Sequence, residues 1–446
     1  MHKIQIIGIV GGGQLGRMLT IAAHKLGFKV IVLDPTPNSP AAQVADRQIV
    51  GSFKDTEKIF ELADVCDVMT FEIESANAEA LKAVEYAHYE IASSQAPRND
   101  ERTASRNETS VIASDSEAIS VLDKRPNIFP SAQILELIKD KFSQKGFLEA
   151  HGIACAKSEE MMSLDAIKNF GSEHGYPFLL KARFDAYDGR GNALIKEESE
   201  IYAGIEKMAP DLFVEFETRD PESMEMQEAI FKALKLRPLY CEAFVDFERE
   251  ISVVVSRSKA KEQTFCFPVV ETVHKDNICH TVVSPAPISE QLQDQACSFA
   301  TKFIEAIDAT GVFAIEMFVT KDGQVLVNEV APRVHNSGHH TIEATSVSQF
   351  EQHIRAITGM DLVEPVQESQ KAKMINILGM HNTPTTLPGI DGLTLAELRK
   401  QYSQEEIETM ISSDILDLDA AKTWVHIYGK TEIKKQRKMG HVTSVA

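Results

Sequence analysis

The sequence predicts an α/β and α+β protein of several domains: a Rossmann-like N-terminal unit, a mixed central region and a small β-rich C-terminal unit. Three observations carry that expectation. The chain has 446 residues, too many for one ordinary core, so about two to four domains follow. It opens on an apolar run that ends in glycines and continues into a helical pattern and a second apolar run, the order of a β-turn-α-β unit. From Pro177 onward, short runs rich in Val, Ile, Phe and Tyr recur between Gly, Asp and Asn, which is strand and hairpin patterning.

Composition sets the bounds. Hydrophobic residues make up 43% and charged residues 25% of the chain, as in soluble globular proteins. With 46 basic against 66 acidic residues the formal charge is −20. That argues against nucleic acid or an anionic membrane as partner, so an anionic substrate has to be met by a local basic cluster. The six Cys are scattered singly with no CxxC, as in a reducing compartment and unlike a structural zinc site. No signal peptide and no run of membrane-spanning length is visible, and a cytoplasmic protein is expected.

Ile4–Val10 reads as a buried strand, Gly11-Gly12-Gly13-Gln14-Leu15-Gly16 as a turn, the pattern to Gly27 as a helix, and Val30–Leu33 as a strand ending in Asp34. This matches the dinucleotide fingerprint, with its acid at the close of the second strand. The glycines suit equally a tight strand-to-helix turn in a unit that binds something other than a nicotinamide. A third strand, Asp67–Phe71, runs into Glu72-Ile73-Glu74. Acids there lie where open α/β sheets bind ligands, or simply begin a helix. From about 93 to 127, Ser, Asn, Asp and Glu predominate, and Arg98-Asn99-Asp100-Glu101 is echoed by Arg106-Asn107-Glu108-Thr109. With no apolar face to bury, this stretch reads as an inserted, disordered loop closing a first domain over 1–127.

Order resumes at Ser131, an N-cap for one helical face made of Ile134, Leu135, Ile138, Phe142, Phe147 and Leu148. A strand Pro177–Ala182 carrying Lys181 leads to a glycine loop with a cation, Tyr187-Asp188-Gly189-Arg190-Gly191, and then to a strand Ala193–Lys196. No helix starts there, so the loop is neither a Walker sequence nor a Rossmann turn. It reads as a hairpin tip that closes over phosphates, or as a plain β-turn. Glu222–Leu236 reads as an amphipathic helix without evident chemistry. Leu239–Val245 with Glu242, Phe247–Val255, and Phe267–Val273 followed by His274 read as strands; His274 suits a structural role or a ligand's.

The densest stretch is Gly311–His340. Val312–Val319 and Val325–Val330 flank Lys321-Asp322-Gly323-Gln324, and Asp-Gly between such runs signals a two-residue type I′ hairpin. In that register Glu316 lies opposite Glu329. Facing carboxylates destabilise a sheet unless something positive sits between them. Such a pair suits Mg2+, which takes one or two carboxylates and completes its shell with water and phosphate oxygens; an exposed acidic face is the alternative. Arg333, His335, Asn336, Ser337, His339 and His340 follow at once. The last stretch holds Met374–Leu378, Trp424–Tyr428 and then five cations (Lys430, Lys434, Lys435, Arg437, Lys438) in nine residues, a phosphate pocket or a solvated basic tail.

Taken together, VGGGQLGRM (Val10–Met18), FEIE (Phe71–Glu74), LLKARFDAYDGRGN (Leu179–Asn192), FEREISVVVSR (Phe247–Arg257), NEVAPRVHNSGHHTIEA (Asn328–Ala344), SQFEQHIRAI (Ser348–Ile357) and KMGHV (Lys438–Val442) resemble the 5-(carboxyamino)imidazole ribonucleotide synthases, the ATP-grasp carboxylases of purine biosynthesis. The resemblance runs from residue 4 to 443, interrupted near 93–127 and 212–236. It implies an ATP-grasp domain over 128–370 with a lid over 154–245, and a β-rich domain over 371–446. It also implies a homodimeric ligase that uses ATP and bicarbonate, through carboxyphosphate, to carboxylate aminoimidazole ribonucleotide. The first domain would then hold nucleotide substrate, not NAD.

By resemblance, Gln14, Leu15, Glu72 and Asp188 would contact the ribonucleotide, and Lys430 and Arg437 its 5′-phosphate. Lys141 and Lys181 would reach the ATP phosphates, with Asp188, Gly189 and Gly191 of the loop beside them. Glu242, Ala243, Phe244 and Val245 would line the adenine and Glu250 the ribose, with His274 and Asn328 near the nucleotide. Glu316 and Glu329 would hold Mg2+. Arg333, His335 and Asn336 would form the carboxyphosphate site, closed by Tyr187, Asp188 and Arg190. The chain departs from the family pattern at Asp185-Ala186 (often two glycines), Lys141 (often Arg), His340 (often another aromatic) and Lys434-Lys435-Gln436 (often Arg-Pro-Gly). None of these removes a metal carboxylate or Arg333, so an active enzyme is expected. Two rivals are another ATP-grasp ligase of purine synthesis, such as a formate-dependent glycinamide ribonucleotide transformylase, and a catalytically silent nucleotide-binding module.

Overall fold

The computed structural model describes residues 4–94, 126–184, 191–213, 223–379, 382–384, 389–411, 415, 418, 419 and 421–446. The stretch 95–125 and Tyr187, Asp188, Gly189 and Arg190 thus lie outside the described residues. Strands β1 (Ile6–Val10), β2 (Lys29–Asp34), β3 (Arg47–Val50), β4 (Val68–Phe71) and β5 (Asn127–Ile128) form a parallel sheet in the order β3-β2-β1-β4-β5. Its central strands are near-continuous apolar runs because helices cover both faces. The fifth strand comes from beyond 95–125, with Val68 paired to Asn127 and Met69 to Ile128. The first sheet therefore runs past the boundary expected at 127.

Ser131 caps the next helix, its hydroxyl accepting from the Ile134 amide. The single face expected from Ile134 to Leu148 is two helices, Ala132–Lys139 and Lys141–Ala150. Asp140 between them is extended, and its carboxylate accepts from the amides of Phe142 (3.2 Å) and Ser143 (3.3 Å), which starts the second helix afresh.

Four antiparallel strands, β6 (Ser158–Met161), β7 (Phe178–Ala182), β8 (Asn192–Ile195) and β9 (Leu239–Ala243), follow in the order β6-β9-β7-β8. They share one core with helices Leu164–His174, Ile201–Met208 and Met224–Leu236. A larger sheet takes in β10 (Phe247–Ser258), β11 (Gln263–Cys266), β12 (Val270–Lys275), β13 (Ile278–Ser284), β14 (Gly311–Thr320), β15 (Val325–Ala331) and β16 (Ala372–Leu378). After β17 (Thr383–Pro384) it continues with β18 (Gly389–Thr394) and β19 (Thr423–Tyr428), and after β20 (Glu432–Ile433) with β21 (Lys438–Val445); β17 and β20 pair with each other. Its order is β15-β14-β10-β12-β13-β16-β21-β19-β18, with β11 on β10, so the central and C-terminal regions are one surface joined at β13–β16. The strand expected from Phe267 begins only at Val270, because Pro268 has no amide to give a ladder.

The N-terminal helix Gln14–Lys25 is tied to this surface. The buried Arg17 guanidinium donates to both oxygens of Asp391 (2.8 and 2.6 Å), and Gln43 donates to the Gly429 carbonyl (2.6 Å). Among the described residues, no helix is long and apolar enough to cross a membrane.

Candidate active site

The hairpin turn is not the two-residue turn expected. The Gly323 amide donates to the Thr320 carbonyl and the Thr320 amide to the Gln324 carbonyl, both at 2.9 Å. Gly323 has φ +78° while Asp322 keeps a negative φ, which makes a three-residue loop with glycine in the left-handed position. From the turn outward the pairs are Val319–Val325, Phe318–Leu326 and Met317–Val327, one residue away from the expected register. A bulge at Asn328 then restores it, and Glu316 pairs with Glu329. The two offsets cancel. Without the bulge Asn328 would face Glu316 and Glu329 would turn to the other side of the sheet. With it, Asn328 and Glu329, neighbours in sequence, line the same cavity.

That cavity gathers Lys141, Lys181, Glu250, His274, Glu316, Asn328, Glu329, Arg333 and His335, together with Glu74 and Lys438. Burial and the charge of Glu329 push the Glu316 carboxyl up to about 7. Burial acts the same way on Glu329, but the Lys141 ammonium, which donates to its carboxylate, outweighs it and holds Glu329 below its ordinary value. One acid of the pair thus has a counter-charge and the other does not. This shortage of positive charge between two oxygen donors fits a hard divalent cation. Among the described residues the one group of three potential ligands is the exposed Glu159, Glu173 and His174, elsewhere. The hairpin pair is therefore an open, two-carboxylate arrangement, which suits Mg2+ better than a transition metal.

His335 faces Glu316. Its Nδ1 lies 3.3 Å from the Ser337 amide, which can only donate, so Nδ1 accepts and the proton sits on Nε2, 3.6 Å from Glu316 Oε1. Burial, and then the Arg333 charge, hold the ring neutral, well below the usual histidine range. Arg333 reaches Glu74 at 2.9 Å, and its buried Nε has no acceptor among the described residues. His274 and Glu250 are in contact on adjacent strands.

Glu242 is not open to a ligand. Both its oxygens are taken at 2.9 Å, by Lys181 and by Lys145, and against burial these two ammoniums hold its carboxyl down to about 2. Lys145 is a residue that sequence reasoning passed over; it is 2% exposed and also donates to the Val327 carbonyl. The signal was a lysine on the apolar face between Phe142 and Leu148. Phe244, next along, is exposed, and Gly191 (φ +83°) accepts from the Ala182 amide through its carbonyl.

The glycine turn is closed from within. Glu72 accepts from the amides of Gly13 (2.6 Å) and Gly16 (3.2 Å), and Asp34 from that of Gly12 (2.9 Å). The donors that a dinucleotide pyrophosphate would need are held by the chain's own acids. Leu15 is part of the core, and Gln14 is half-buried at the start of the helix. At the other end, the Lys430 ammonium is buried under the Tyr428 ring and donates to the Lys438 carbonyl (2.5 Å), while Arg437 donates to the Glu432 carbonyl (3.1 Å) away from the cavity. Lys438 is the member of the basic cluster that lines it.

An ATP-grasp domain model matches residues 146–219 and 219–350, a ribonucleotide synthetase preATP-grasp domain 4–96, and a phosphoribosylaminoimidazole carboxylase C-terminal domain 372–446. The N5-carboxyaminoimidazole ribonucleotide synthase of Brucella melitensis biotype 1 is 33% identical across 98% of this chain and 96% of its own length. The chain belongs to the N5-carboxyaminoimidazole ribonucleotide synthase family. A crystal structure of an N5-carboxyaminoimidazole ribonucleotide synthetase as its ADP complex superposes with a TM-score of 0.73 at 32% identity, covering 100% of this chain and 94% of that one. The synthase from Aspergillus clavatus in complex with ADP and 5-aminoimidazole ribonucleotide gives 0.73 and 32%, with 100% and 95% covered. The three-part α/β and α+β architecture expected from the sequence is that of the synthase family. Phosphoribosylaminoimidazole carboxylases from Ogataea methanolica and Schizosaccharomyces pombe are 36% and 35% identical over 99% and 100% of this chain, which spans 66% of the length of each.

Proposed function

We propose that the chain carboxylates the amine of 5-aminoimidazole ribonucleotide with ATP and bicarbonate, in purine biosynthesis. The observation that carries this reading is the meeting of the facing acids Glu316 and Glu329 with Lys141, Lys181, Arg333, His335 and Lys438 in one cavity. A bicarbonate oxygen attacks the γ-phosphorus and ADP leaves, giving carboxyphosphate. Carboxyphosphate releases phosphate and CO2 beside the amine, which attacks carbon and loses a proton to give the carbamate. Most of the catalytic demand is positioning and neutralisation of charge.

Lys141 and Lys181 would neutralise the triphosphate. Arg333, with an Nε that has no acceptor among the described residues, would bind the transferring group, and the Nε2–H of His335 would donate to a carboxyl oxygen. Glu316 and Glu329 would hold Mg2+, which when bound supplies Lewis-acid neutralisation of phosphate oxygens. Lys438 and Lys430 would serve the ribonucleotide side. Exclusion of water matters because hydrolysis of carboxyphosphate competes with carboxylation. The same reading takes the protein as a cytoplasmic homodimer, as the family resemblance implies.

The test is ADP release with aminoimidazole ribonucleotide, with and without bicarbonate, alongside product analysis. Carbamate formed together with bicarbonate-dependent ADP release is expected. Turnover with formate and glycinamide ribonucleotide instead, or nucleotide binding without turnover, would overturn the reading.

A further inference from the structure

The resemblance places Asn336 at the carboxyphosphate site, yet both ends of its amide are paired with Asn376. Asn376 on β16 donates from Nδ2 to Asn336 Oδ1 (2.6 Å) and to the Cys279 carbonyl (2.9 Å), and its Oδ1 accepts from Asn336 Nδ2 (2.9 Å). Both side chains are buried, 3% and 6% exposed. The Cys279 carbonyl can only accept, so it fixes which end of the Asn376 amide is nitrogen, and the reciprocal pairing with Asn336 follows from that.

This closed pair joins three parts of the site. Cys279 on β13 lines the cavity. Asn336 follows directly on His335, whose backbone is bracketed by Gln349 (2.9 and 2.6 Å) and whose ring is oriented by Ser337. Asn376 lies on the strand that pairs with β21, two residues before Leu378, the partner of Lys438. Through Asn376 the loop bearing Arg333 and His335 is fastened to the strand pair that brings Lys438 to the cavity.

We propose that Asn376 is a positioning residue: through Asn336 it sets the His335 loop against the Glu316–Glu329 pair and keeps it in register with the strand bearing Lys438, so that bicarbonate is phosphorylated with the amine in place. The inference rests on the carboxylation reading above. Asn376 itself touches no substrate; its effect passes through Asn336.

The test is Asn376→Asp, which puts a carboxylate oxygen where a donor faced two acceptors, with Asn376→Ser as an uncharged second variant. Turnover to carbamate should fall about 10²-fold while the KM for ATP stays within about threefold, since misplacement rather than lost binding is the defect. ADP released per carbamate should rise above the wild-type ratio. A variant that melts earlier but keeps wild-type turnover and ratio would overturn the proposal, and so would loss of fold in both variants, which would make the pair a structural support only. If the wild-type protein shows no bicarbonate-dependent ADP release, the carboxylation reading fails, and that result is distinguishable from either outcome with the variants.

Discussion

Glu316 and Glu329 face each other across the β14–β15 hairpin because a bulge at Asn328 offsets a turn one residue longer than the sequence suggests. The pairing on which the proposed metal site rests is therefore set by a backbone irregularity at the site itself. Deleting Asn328 would take out the extra residue and leave Glu329 as the regular partner of Glu316, so the facing pair should survive that deletion. Glu329→Ala is expected to lower turnover by at least about 10²–10³-fold, and the Asn328 deletion by less. Thermal melting should show little loss of fold in Glu329→Ala, and near-normal ADP release in that variant would remove Glu329 from the metal pair.

Lys430 and Lys438 should separate in kinetics. The Lys430 ammonium donates to the Lys438 carbonyl and on the proposed reading would support the ribonucleotide side, so Lys430→Ala should raise the KM for ribonucleotide by about tenfold, the size of one lost contact. Lys438 reaches the cavity, so Lys438→Ala should lower turnover as well. Steady-state kinetics with varied ribonucleotide checks both, and an unchanged KM in Lys430→Ala would detach that residue from the phosphate.

The Lys145–Glu242–Lys181 cluster is a stability element. In Glu242→Gln two ammoniums, one of them 2% exposed, would face a neutral amide. A loss of about 3–5 kcal/mol is expected from breaking a buried ionic group in this way. Denaturant unfolding measures it, and a variant as stable as wild type would mean that water already solvates the cluster.

Stability should fall on acidification above the range where carboxylates titrate. His353 accepts from the Val312 amide at Nδ1 and meets Thr70 at Nε2, and burial holds its ring down to about 3; burial holds His340 down to about 4. Both are neutral in the folded state, while in the unfolded chain they take up a proton near pH 6.5. Stability is therefore complete above that pH and is lost as pH falls from about 6.5 toward 4, by about 2 kcal/mol per histidine at pH 5. Urea melts at pH 7.5 and 5 test this, and His353→Gln should flatten the profile.

Gln436 holds a backbone conformation that favours glycine. The turn closes with the Arg437 amide on the Lys434 carbonyl (2.9 Å), and Gln436, its third residue, has φ +65°. Gln436→Gly should stabilise the protein by about 1 kcal/mol, the penalty of a left-handed backbone at a residue with a β-carbon. A lower melting temperature in that variant would show that the Gln436 side chain contributes more than its backbone loses.

Much of this was legible in the sequence. The facing acids, the lysine on β7, and the run from Arg333 to His335 all belong to contiguous segments whose period or turn chemistry shows them. The hairpin pairing was right for an incomplete reason, because a bulge and a longer loop leave no distinct mark when their offsets cancel. Asp140 reads as one polar residue in a helical pattern, yet it ends one helix and caps the next. What the sequence hid are partnerships across long separations: Asn336 with Asn376, Lys145 with Glu242, and Glu72 with the glycine turn. In each, the residue type is visible, but its occupation by a distant side chain is a product of the fold.

The Arg17–Asp391 contact, between residues 374 positions apart, has a consequence for cutting the molecule. A fragment lacking the last domain would strip the Arg17 guanidinium of its carboxylate and of the chain that covers it, leaving its bonds to the Pro40 carbonyl and Gln43. The N-terminal unit is thus no detachable module. Swapping it between homologues should succeed only when the acid at the far end of the polypeptide travels with it.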